Sequence, residues 1–167
     1  MSINNKLLTK SLVIVVISYL LMSTGLHGDD YIVISNLDKS SILGFVNFEG
    51  AKIMVFNTVT YYSFWWPYFL FGDEYQWTYD LIKIAAHTIS FFFLYRFSTD
   101  YLSEDRSILV ALIFILYPLH DTTAYWYMTV PYVLIPSTIL YAHHLIRNDN
   151  IRLGFFASMI GAFSYYI

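Results

Sequence analysis

His27, Gly28, Asp29, Asp30 and Tyr31 follow directly on the first apolar run of the chain and set two carboxylates side by side. An ionised carboxylate in such a place can accept the proton of a hydroxyl, which is general-base work, and Asp29 suits that role. Its neighbour Asp30 either raises the proton affinity of the pair, or holds an acceptor hydroxyl or a divalent metal ion. The plainer alternative is that both aspartates only end a helix at a water interface. His87, inside a long apolar run, is either a hydrogen-bonded residue between helices or a donor to the carboxylates or to a phosphate. His120 and Asp121 are either a second polar pair converging on the same region or a hydrogen-bonded pair at a helix end. No zinc-ligand spacing, glycine-rich phosphate loop or serine nucleophile elbow occurs. With no cysteine there is neither a thiolate ligand nor a disulfide framework.

The elements that must position these groups are apolar. Hydrophobic residues make up 57% of the 167, aromatic residues 20% and charged residues only 13%, too little polar surface to coat a globule of this size. The expectation is an all-α polytopic transmembrane bundle of about five spans, over 7–26, 78–97, 107–119, 124–146 and 153–167. An outer loop, 27–77, carries a helix lying in the interface over Ile53 to Phe71, where aromatics are interrupted by Asn57, Thr58, Thr60 and Ser63. The first run is long enough to be retained as a helix rather than cleaved as a signal peptide. The last run stops without a closing charge or cap, which reads as a single transmembrane domain over 1–167 truncated at its carboxyl end. Lys6, Lys10, Arg96, Arg106, Arg147 and Arg152 fall on one side if the spans alternate, whereas the loop holds only Lys39 and Lys52. The amino terminus is then cytoplasmic, and Asp29, Asp30, His120 and Asp121 face outward. An integral membrane protein is expected, in a bacterial inner membrane in preference to the endoplasmic reticulum. A formal charge of -3 and the lack of a basic run interleaved with aromatics exclude a nucleic-acid surface.

The order of certain residues carries a resemblance. Gly28-Asp29-Asp30-Tyr31 with Asn36, then Trp66-Pro67 and Phe71-Gly72, are followed by Leu81 to His87 and by Leu112 to His120, with Thr123-Ala124-Tyr125-Trp126 after it. Together they resemble the amino-terminal part of the GT-C class of integral-membrane glycosyltransferases, in particular the protein O-mannosyltransferase and tetratricopeptide-repeat mannosyltransferase branch. The resemblance implies transfer of a sugar from a polyprenyl-phosphate-linked donor to a protein or glycan acceptor at the outer or luminal face of a membrane, with Asp29 as catalytic base. It also implies that His87 and the Pro118 to His120 turn line the same cavity. Where these relatives carry Arg before the proline this chain has Trp66, and where they carry Asn four residues before the helical His it has Lys83. Lys83 can replace the missing phosphate contact as a point charge. No cofactor is implied with certainty, and a divalent metal stays open. Two rival classes remain: a non-catalytic polytopic membrane subunit, which tolerates loss of Asp29, and a transporter, for which polar residues in mid-membrane are scarce.

Overall fold

The computed structural model of the protein describes residues 3–35, 37, 58–117 and 126–164. These form α1 (Ile3–Leu21), α2 (Asp29–Ser35), α3 (Thr58–Phe71), α4 (Trp77–Ser98), α5 (Glu104–Leu116), a 3₁₀ segment (Tyr127–Val133), α6 (Leu134–Arg147) and α7 (Ile151–Ala162). The all-helical part of the expected architecture is observed.

The membrane part is overturned. Among the described residues no helix is long and apolar enough to cross a membrane. α5, α6 and α7 have 13, 14 and 12 residues, which at 1.5 Å each reach about 18–21 Å, against a hydrocarbon core of about 30 Å. α4 has the length, with 22 residues, but its sequence carries Asp80, Lys83, His87 and Arg96. α1 has 19 residues, and five of the first eight in its sequence are polar (Asn4, Asn5, Lys6, Thr9, Lys10). The expected run 7–26 breaks at Leu21 because Ser23, Gly25 and Gly28 adopt left-handed backbone, with φ of 65°, 60° and 49°. The run 124–146 is divided as well. Pro131 lies in the 3₁₀ segment, and Pro136 fits α6 because it falls in the first turn, whose N–H groups have no helical partner anyway. With the spans go the integral-membrane location and the cytoplasmic amino terminus inferred from them. Residues 53–57 of the interfacial segment lie outside the described residues, and the remainder is the helix α3.

α4 is the central element and packs against α1, α3, α5, the 3₁₀ segment and α6. The core runs along its flanks: Val13, Ile17 and Leu21 repeat every four residues on α1, Ile108, Ala111 and Ile115 form the inner stripe of α5, and Phe91 and Leu94 meet them from α4. Polar ties fix the register. Ser90 on α4 donates to the Val133 carbonyl and shares a hydrogen bond with Ser137, each at 3.0 Å. Lys10 donates to the Tyr95 hydroxyl, which donates to Glu104, joining α1, α4 and α5. α7 lies close on α6 because Gly161 faces the Thr138 hydroxyl, where a β-carbon would come within 2.4 Å. Much apolar surface still faces outward, including Leu12 and Val15 on α1 and Phe155 and Phe156 on α7, as the composition requires.

The 3₁₀ segment is tied into this frame by a carbonyl that a proline leaves over. Pro67 has no N–H for Ser63 four residues earlier, so that carbonyl has no helical partner. The buried Tyr127 hydroxyl donates to it instead. The Tyr127 ring packs edge-on against Phe64 and Tyr79, with centroids 4.6 and 5.1 Å away. Burial raises the phenol pKa of both tyrosines above the ordinary 10.0.

Candidate functional site

The two adjacent aspartates are divided by the fold into different roles. Asp30 is fully buried (0% exposed) and accepts three backbone N–H bonds: from His27 at 3.0 Å and Tyr127 at 3.1 Å on one oxygen, and from Met128 at 2.9 Å on the other. It joins the start of α2 to the start of the 3₁₀ segment, across 97 and 98 residues of sequence. Asp29, the preceding residue, is exposed, and its carboxylate makes no hydrogen bond or ion pair with another described residue. Successive residues of a helix point about 100° apart, so burial of one carboxylate turns its neighbour outward.

Beneath the turn that precedes α2 lies a second anchor. Asp80, in the first turn of α4, accepts from the Ser23 N–H at 2.9 Å, the Gly25 N–H at 2.8 Å and the Thr24 hydroxyl at 3.2 Å. Lys83, one turn on and likewise 0% exposed, donates to Thr24 Oγ1 at 2.8 Å and to the Gly25 carbonyl, with Asp80 at 3.8 Å. Burial lowers the Lys83 pKa from its ordinary 10.5, and the negative charges of Asp80 and Asp30 act against that lowering. Asp80 and Lys83 are therefore both spent on residues 23–25, which lead into the turn that carries Asp29.

His87 follows on the same face of α4, buried, with Nδ1 2.8 Å from the Lys83 carbonyl. The structure thus sets Lys83 and His87 one turn apart on the buried face of α4, with the buried Asp30 near enough to Lys83 for its charge to act on the lysine. His120 and Asp121 lie outside the described residues. Among the described residues no group of three or more His, Asp or Glu side chains is placed to hold a metal ion.

Residues given no site role from the sequence complete the rim. Trp126, 37% exposed, sets its indole Nε1 against Gly28, 3.7 Å from where a β-carbon would sit. Tyr31 shares a 2.7 Å hydrogen bond with the exposed Gln76, whose side chain lies on Gly25. The three-residue spacing of Asp80 and Lys83 on one helix face was a readable sign of their pairing. Nothing local marks Tyr127, because its partners Asp30 and Ser63 are so far away in sequence. No known protein family, curated protein or solved structure matches this chain.

Proposed function

We propose that the chain carries a glycosyl-transfer site in which Asp29 is the general base and a polyprenyl-phosphate-linked sugar is the donor. One observation carries the reading: of two adjacent carboxylates, Asp30 is fully occupied by backbone N–H groups, and Asp29 faces solvent beside it on a backbone held from below. In the reaction the acceptor hydroxyl gives its proton to Asp29, and its oxygen bonds to the anomeric carbon. The bond from that carbon to the donor phosphate breaks, and the polyprenyl phosphate leaves with the electron pair. Exposed Ile32, one turn from Asp29, and exposed Trp77 and Phe71 offer apolar surface to an isoprenoid chain.

The test supplies polyprenyl-phosphate mannose and polyprenyl-phosphate glucose, radiolabelled in the sugar, with methyl glycosides and serine- or threonine-bearing peptides as acceptors. Wild-type chain transfers label, and Asp29→Asn transfers about 10²- to 10⁴-fold more slowly at unchanged thermal stability. Absence of transfer to every acceptor, or equal rates for the two proteins, overturns the reading. A non-catalytic subunit is the second reading, favoured by the exposed apolar faces of α1 and α7.

A further inference from the structure

Beside Gly28 and Asp29 the structure presents the partly exposed Trp126 ring, on a backbone tied by four hydrogen bonds. The Trp126 carbonyl accepts from the Thr129 N–H at 3.2 Å and the Thr129 hydroxyl at 2.9 Å. The next two N–H groups, of Tyr127 and Met128, are fixed on Asp30. The backbone that carries the ring is therefore fixed before any ligand arrives, which lowers the ordering cost of binding. The turn on which it packs carries flat polar groups: the exposed His27 imidazole and Asp29 carboxylate flank Gly28 in the chain, and the Gln76 amide lies on Gly25, 2.7 Å from the Tyr31 phenol. Gly28 puts no side chain between Trp126 and Asp29.

A pyranose has the complementary chemistry. Its C–H face is apolar and packs on an aromatic ring, whereas its rim of hydroxyls pairs with planar groups that accept and donate two bonds at once. A peptide hydroxyl would need the carboxylate but not the indole. We propose that Trp126 is the stacking platform of a saccharide acceptor subsite, with Asp29 and Gln76 holding hydroxyls of the stacked ring. The subsite rests on the glycosyl-transfer reading only for what Asp29 does to the bound sugar, since sugar binding itself needs no reaction.

The experiment uses the full chain with ¹⁵N-labelled tryptophan and follows the four indole N–H resonances during titration with methyl α-mannoside, methyl α-glucoside and maltotriose. The Trp126 resonance, assigned by its loss in Trp126→Phe, moves saturably at about millimolar sugar, as weak monosaccharide binding requires. The fully buried Trp65 stays in place and reports an intact fold. Trp126→Ala weakens binding of the best probe, followed by saturation-transfer difference, about ten-fold and Trp126→Phe about two-fold, the span expected for loss or trimming of one ring. Asp29→Asn keeps affinity within about two-fold because an amide still bonds hydroxyls, yet it loses transfer. No saturable movement with any of the three sugars up to about 100 mM, or unchanged affinity in Trp126→Ala, overturns the subsite and leaves Asp29 as base untouched. Equal transfer by wild type and Asp29→Asn with the Trp126 response intact overturns the catalytic role and leaves the subsite standing.

Discussion

Replacing Asp30 by Ala exposes how much the link between α2 and the 3₁₀ segment contributes. Three N–H groups, on His27, Tyr127 and Met128, lose a charged acceptor at a site with no solvent exposure. A buried donor left without a partner costs about 1–3 kcal/mol, so three of them bound the loss at about 3–9 kcal/mol. Water entering the space left by the carboxylate rescues part of it, and about 3–5 kcal/mol is the expected net destabilisation. For a chain of 167 residues this lowers Tm by roughly 10 °C. Asp30→Asn keeps the shape but turns an NH₂ group toward N–H donors, and loses only slightly less. Asp29→Asn, at an exposed position, stays within about 0.5 kcal/mol of wild type. Urea unfolding followed by circular dichroism measures all three. A midpoint for Asp30→Ala equal to that of Asp29→Asn would refute the reasoning, because it would mean that Asp30 is as solvated as its neighbour.

Three further outcomes follow from the packing. Tyr127→Phe strands the Ser63 carbonyl that Pro67 leaves without a helical partner, and loses about 1–3 kcal/mol. In a Pro67→Ala background, where residue 67 regains an N–H for Ser63, the same change costs about 1 kcal/mol less, so additive effects in a urea double-mutant cycle would contradict the arrangement. Stability depends on pH with opposite signs from two sources. The unfolded chain keeps its Lys83 proton up to about 10.5 while the folded, buried lysine releases it earlier, so stability rises with pH below that value. Tyr79 and Tyr127 are held protonated by burial above 10.0, where the unfolded chain ionises, so stability falls beyond about pH 10. Melting curves across the alkaline range should climb and then fall, and Lys83→Met should remove the climb and keep the fall. A decline throughout in wild type would show that Lys83 is not desolvated. Gly161→Ala brings a β-carbon within 2.4 Å of the Thr138 hydroxyl and lifts α7 from α6, at about 1–3 kcal/mol by urea unfolding, and Thr138→Ala in the same chain should relieve it. No relief would place the strain elsewhere.

Several helices were legible because apolar runs with polar punctuation are local signals. The expected runs 78–97, 107–119 and 153–167 overlap Trp77–Ser98, Glu104–Leu116 and Ile151–Ala162, with 118–119 and 165–167 outside the described residues. Apolar content was easily mistaken for spanning capacity, however. The charges of α4 sit inside its run, and Lys83 is buried with Thr24 and Gly25, from another element, accepting its hydrogen bonds and Asp80 beside it. The end of α1 was misplaced for the same reason: Asp80, 57 residues from Ser23, holds the turn that stops it. At the candidate site the sequence displays an aspartate pair without distinguishing its members. What distinguishes them is Tyr127 and Met128, whose N–H groups the folding of the core brings to the Asp30 carboxylate, and no spacing along the chain records that approach.

The central claim is that the exposed member of the pair does the chemistry and the buried member holds it in place. The direct measurement is the initial rate of sugar transfer from the labelled polyprenyl-phosphate donor by wild type and Asp29→Asn, on samples matched for melting temperature. The account predicts that Asp29→Asn folds as wild type and transfers about 10²- to 10⁴-fold more slowly. Transfer by Asp29→Asn at the wild-type rate would contradict it.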